Sequence, residues 1–318
     1  FDLDGNIIDQ DSGTRQSFGF NINNTIGTNS PITTTLGLGY REINFDNTAD
    51  PDLRDSSELS FNATTQFRLT PSVTGRGVAG YRDFDTEDTG VSREEISFGL
   101  GAGFRINPVL SADVVLRYSE IDRSGSETDT DSGISLDTSL SREMTNGSLS
   151  FFFNTDVTSN DDGRRGTAGI SRAMDLPGGQ ALSYRFALTR SDGTGVDPLL
   201  GLNYSYSLPT AQIGVSLTQS VSNGSDNDES INTSLTASYN QQINSLSSVS
   251  TSLSLFTRNE LGANANAGRR IDLRLSYRYT LTQDWQLVSS YSHALSTSDD
   301  ESDRRSNTIF VGLRTNFP

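Results

Sequence analysis

The chain has 318 residues, is only 33% hydrophobic, and carries a formal net charge of −16 with a pI near 4.4. That acid balance excludes a nucleic-acid surface, which needs a basic stripe. The low apolar content also fits poorly with a soluble protein that buries a thick core. No stretch approaches 18 apolar residues, so no transmembrane helix is encoded. Cysteine is absent, which suits passage through an oxidising periplasm without stray disulfides. The chain starts at Phe1 with no visible signal peptide, and is read as a processed or truncated form.

Low hydrophobicity with high charge is the usual mark of disorder, but here apolar residues keep phase from end to end. In chain order the alternating sets are Phe18, Phe20, Ile22; Ile32 to Tyr40; Leu59 to Leu69; Ile96 to Ile106; and Ala112 to Tyr118. They continue with Leu149 to Phe153, Leu182 to Leu188, Leu200 to Tyr206, Ile213 to Leu217, Ile231 to Tyr239 and Val249 to Leu255. The last third adds Ile271 to Leu281, then Trp285 to Leu295 across Thr282-Gln283-Asp284, and Ile309 to Phe317. Two runs, near 133–142 and 165–174, are weaker. A period of two places each set on one face of an extended strand.

The connectors alternate in kind. Tight ones include Thr28-Asn29-Ser30-Pro31, Thr70-Pro71, Asn107-Pro108, Asn146-Gly147, Pro177-Gly178-Gly179 and Leu208-Pro209. Between them lie acidic polar segments at 46–57, 85–92, 122–132, 158–164, 191–197, 222–229, 259–269 and 298–305. Tyr40-Arg41-Glu42, Tyr81-Arg82-Asp83 and Tyr118-Ser119-Glu120 repeat at one height above successive tight turns. Each ends its apolar run in a Tyr and then acid, as expected where a strand leaves hydrocarbon. Tyr40, Tyr81, Tyr118, Trp285 and Tyr291 are the aromatic-girdle candidates.

The strands run to about twelve residues, about twice the length usual in a soluble sheet. Opposite faces are small and polar, as in Ser248, Ser250, Ser252 and Ser254. A single up-and-down sheet has no second layer to cover its apolar side. Lipid supplies that cover, and closure removes the edges.

The Tyr-Arg/Ser-acid strand ends, the Thr70-Pro71 and Asn107-Pro108 turns and the terminal Thr308–Phe317 alternation resemble Gram-negative outer-membrane β-barrels. They are most similar to the porin-like barrels found beside exopolysaccharide genes. The resemblance implies a bacterial outer-membrane location, contact with lipid and lipopolysaccharide, and Phe317 as a signal to the barrel assembly machinery.

The expectation is therefore an all-β, closed antiparallel up-and-down transmembrane β-barrel forming a single domain over 1–318. Seventeen runs are countable from residue 14. An even number is usual in bacterial barrels, so about 18 strands are expected, with 16 the alternative. Residues 1–13 are then the end of an incomplete first strand plus a loop. Short periplasmic turns and acidic extracellular loops complete the scheme.

Catalytic constellations are weak. The single His, His293, falls on the lipid phase with Tyr291 and Leu295 and is read as an interface anchor, not a base. Paired acids such as Asp161-Asp162 sit among like charges and read as solvated loop, as do the Asp clusters that lack spaced Ca²⁺-loop geometry. Gly99, Gly101 and Gly103 share one inward face and read as lumen space or as an aid to strand curvature. No enzyme activity, cofactor or metal is expected.

Arginines on the lumen phase are more informative: Arg41, Arg68, Arg76, Arg82, Arg105, Arg117, Arg185, Arg270, Arg274, Arg278 and Arg314. They tune selectivity for anionic or sugar solutes, or they pair with inward acids such as Asp113, Asp137 and Asp272; the two are not exclusive. The function expected is a porin-like channel passing hydrophilic solutes or exporting polysaccharide. The alternative is a structural or interaction barrel whose acidic loops anchor a partner. A homo-oligomer or a secretion partner fits either.

Overall fold

The computed structural model describes residues 14–47, 55–86, 91–124, 129–158, 163–192, 195–223, 229–260, 267–298 and 301–315. Every element is a strand: β1 (Thr14–Ile26), β2 (Ile32–Asp46), β3 (Ser56–Arg68), β4 (Val73–Thr86), β5 (Val91–Asn107) and β6 (Leu110–Ser124). Next come β7 (Asp129–Met144), β8 (Gly147–Val157), β9 (Arg164–Leu176), β10 (Gln180–Ser191), β11 (Val196–Ser207) and β12 (Ala211–Asn223). The last five are β13 (Glu229–Gln242), β14 (Ser247–Glu260), β15 (Ala267–Thr280), β16 (Trp285–Ser298) and β17 (Glu301–Thr315). The two weak runs are full strands, β7 and β9.

Each strand pairs antiparallel with its sequence neighbour, so the 17-stranded sheet is one continuous meander. Local chemistry fixes the tight turns. Gly27 (φ 79°), Gly178 (φ 81°) and Gly179 (φ 80°) take the left-handed region that a side chain resists. Asn244 Oδ1 accepts from the Leu246 and Ser247 amides at 2.8 and 2.9 Å, and Thr282 Oγ1 accepts from Trp285 N at 3.2 Å.

Two expectations need correction. The sheet is not closed: among the described residues β1 and β17 have no partner on their outer edges. The reason is directional, since a meander of odd strand number sends its first and last strands the same way and an antiparallel ladder cannot join them. The acidic segments are also shorter than expected. Asp83 pairs with Glu94 and Asp122 with Thr130, so strands continue into the acid-rich sequence before they turn. Past the apolar band no lipid meets the sheet, and a strand no longer needs apolar alternation.

Little is buried. The hydrophobic residues shielded from solvent are Ile43, Phe84, Val115, Ile121, Ala187, Leu199 and Ala211, whereas Leu100 and Ile309 are 75% and 78% exposed. Accessible surface totals 19043 Å², against roughly 13,000 Å² for a soluble monomer of this mass. The excess is that of a single-layer wall open on both faces, whose apolar outer face is stable only against lipid. No described helix is long and apolar enough to cross a membrane, so spanning falls to the strands.

Candidate pore lumen and its two mouths

The registers assign each residue to a face. Ser60 pairs with Gly39 and Arg82, and Thr236 with Ser216 and Ser254, so the small polar sets form one continuous inward surface. The apolar sets form the outward band. Tyr40, Tyr81 and Tyr118 stand toward the loop end of this band; Trp285 opens β16 at the turn end, beside Tyr279 of β15. Tyr291 lies near mid-strand, where its hydroxyl donates to Asn307 Oδ1 at 2.9 Å. His293 Nδ1 meets the same oxygen at 2.9 Å, which leaves the lone His in an outward polar trio.

β5 and β6 lie close together at a run of glycines. A Cβ on Gly99 would lie 2.5 Å from Leu116 O, and one on Gly101 2.6 Å from Val114 O. These glycines let β6 approach. Beyond them Arg76 of β4 reaches across β5 to Asp113 of β6 at 2.9 Å, passing Gly103.

The sequence-predicted arginines divide into three groups. Four hold the wall: Arg76 to Asp113, Arg82 to Glu58 at 2.9 Å, Arg117 to Asp137 at 3.3 Å, and Arg270 to Asp272 of its own strand at 2.9 and 3.2 Å. Arg185 lies over the Phe152 ring at 4.2 Å. The rest, Arg41, Arg68, Arg105, Arg274, Arg278 and Arg314, are exposed and engage no side-chain partner among the described residues. Of these, Arg68, Arg105, Arg278 and Arg314 fall within the last three residues of β3, β5, β15 and β17, all at the turn end. Arg270 therefore does not extend the Arg274–Arg278 pair into a free ladder.

Burial concentrates at the opposite mouth. Ile43, Ser56, Thr86, Ile121, Asp131, Thr158, Ser191, Glu229, Ser230 and Arg258 are shielded, and all lie at loop-end strand termini or just beyond. Sequence reasoning missed this layer because its charged members sit in segments read as loop. Arg123 bonds Asp131, and Arg165 of β9 lies 3.8 Å from Asp156 and 3.5 Å from Glu229 of β13. By alternation Glu229 belongs with Ile231 on the outward face. Its burial beside Arg165 shows that the loop-end terminus of β13 leans over the opening. Among the described residues no cluster of His, Cys, Asp and Glu is arranged to hold a metal ion.

No family model matches the chain. No curated protein matches it either. Solved structures do. The chain resembles the alcaligin outer-membrane receptor FauA of Bordetella pertussis (12% identity, TM-score 0.46, 96% of this chain and 64% of that one). It also resembles the copper transporter OprC (12% identity, TM-score 0.52, 96% and 65%). A third likeness is to a mutant ferric enterobactin receptor PfeA of Pseudomonas aeruginosa in complex with enterobactin (9% identity, TM-score 0.51, 95% and 70%). The chain thus spans less than two thirds of FauA and OprC. What the likenesses to OprC and PfeA show is the fold, that of an outer-membrane β-barrel wall. With the lipid-facing band and its aromatic rims, the fold places the chain in the outer membrane.

Proposed function

We propose that this chain forms the wall of an outer-membrane channel that passes hydrophilic solutes, or exports a polysaccharide, without chemical conversion. By the usual layout of such barrels, the turn end is periplasmic and the loop end extracellular. The observation that carries the reading is the inward surface: Ser, Thr, Asn and Gly across the sheet, with unengaged arginines at the periplasmic mouth. A wall around a dry interior would bury its apolar side chains; this one turns them outward.

The test is single-channel conductance in a planar bilayer with a salt-gradient reversal potential. Stable steps with a preference for anions are expected. Silence from a correctly folded barrel overturns the reading. A second reading, an interaction barrel closed at its outer mouth, draws on the buried layer around Arg165 and Glu229 and predicts that silence.

A further inference from the structure

At the turn end of β12 to β16 the inward wall holds a cavity of about 570 Å³. Two cross-strand rows line it. Gln212, Asn240 and Ser250 are register partners in one, and Gln242, Ser248 and Arg278 in the other. Every one of these side chains faces the lumen.

The polar groups of the cavity are unspent, and they converge on one concave stretch of wall around a single charge, Arg278. At several other places on the inward wall, hydroxyls and amides satisfy one another. Ser141 and Ser150 lie at 2.7 Å, Ser216 donates to Asn203 at 2.6 Å, and Thr167 and Thr189 lie at 2.9 Å. In the cavity none of Gln212, Asn240, Gln242, Ser248, Ser250 or Arg278 has a side-chain hydrogen bond or ion pair among the described residues. Facing water, these groups stay available to a ligand that can replace their hydration.

The chemistry of the free groups selects the ligand. Each carboxamide offers donors and an acceptor side by side, and each hydroxyl offers both roles. Such a lining matches a molecule that presents many hydroxyls. Arg278 is the single charge of the cavity, and its planar guanidinium fits a carboxylate through two parallel bonds. The rows run across strands about 4.8 Å apart, so the lining extends over several linked units of a chain-like ligand.

We infer that this cavity is a periplasmic-side binding site for an oligosaccharide bearing a carboxylate, with Arg278 holding the acid group and the amide rows holding the hydroxyls. The inference rests on reading the inward face as a water-filled lumen, and it names a substrate class for that lumen. With no aromatic platform in the cavity, binding is weak and reversible, as a transit site needs.

The experiment is calorimetric titration of the full chain, folded in detergent, with trigalacturonate and with neutral maltotriose. Trigalacturonate is expected to bind more tightly. Arg278→Gln should weaken it about tenfold, the loss of roughly 1.4 kcal/mol, and leave maltotriose unchanged. Asn240→Ala with Gln242→Ala should weaken both sugars. All three positions are solvent-exposed, and retained heat-modifiable migration confirms folding. Absence of binding by the folded wild type overturns the inference, as does equal affinity for the two sugars with no effect of Arg278→Gln. Titration needs no ion flow, so the two claims separate. A conducting protein that binds neither sugar loses this site and keeps the channel; a silent one that binds trigalacturonate keeps the site.

Discussion

Arg165 on β9 and Glu229 on β13 meet at 3.5 Å although their strands are four places apart in the sheet. Four strand spacings are about 19 Å of wall, so this pair is a chord across the outer mouth and not a tie along the wall. Glu229→Ala removes the chord. Single-channel conductance of the variant should exceed that of the wild type, with folding retained by heat-modifiable migration. Unchanged conductance would mean that the narrowest point lies elsewhere.

Glycines on the neighbouring strands β5 and β4 give a matched pair of variants. A Cβ at Gly99 would lie 2.5 Å from the Leu116 carbonyl oxygen, while one at Gly77 meets nothing within 4 Å. Gly99→Ala should destabilise the folded barrel by about 1–3 kcal/mol, the range for forced overpacking. Gly77→Ala should be close to neutral. Urea midpoints in lipid vesicles report both, and similar midpoints would show that β5 and β6 have room to part.

The assignment of faces predicts an asymmetry between Leu116 and Ser254, both near mid-strand. Leu116→Arg places a charge in hydrocarbon and should cost about 2–4 kcal/mol. Ser254→Arg places the same charge in the lumen and should cost little. A reversed order would invert the barrel.

The unengaged arginines at the turn end make a separate prediction. Arg68→Gln, Arg105→Gln and Arg314→Gln together should shift the reversal potential toward cation preference. Arg82→Gln, which breaks an ion pair with Glu58, should act chiefly on stability. An unmoved potential in the triple variant would assign selectivity to the outer mouth.

Much of the fold was legible because a period of two survives single-sequence reading wherever one face meets lipid. Ile271 to Leu281 and Leu59 to Leu69 announce their strands without help. β7 and β9 read weakly because Gly133, Gly166, Ala168 and Gly169 dilute the contrast between faces. The strand ends beyond the membrane were read as loops, since around Asp122, Asp129 and Asp131 no lipid-facing side imposes an apolar alternation on the sequence. The lumen was legible as a list of arginines, but not as an arrangement. Whether Arg76 finds Asp113 depends on the register of two successive pairings, and Arg165 with Glu229 on four. The cavity at Arg278 was hidden for the same reason, since its rows are assembled from three strands.

The shared direction of β1 and β17 governs what this wall can join. Copies inserted into one membrane by one route all present two descending rims. Any two such rims brought together would run side by side in the same sense, and the ladder that holds every other pair in the sheet would not form between them. Only a strand travelling upward, whatever its source, continues the antiparallel ladder at either rim.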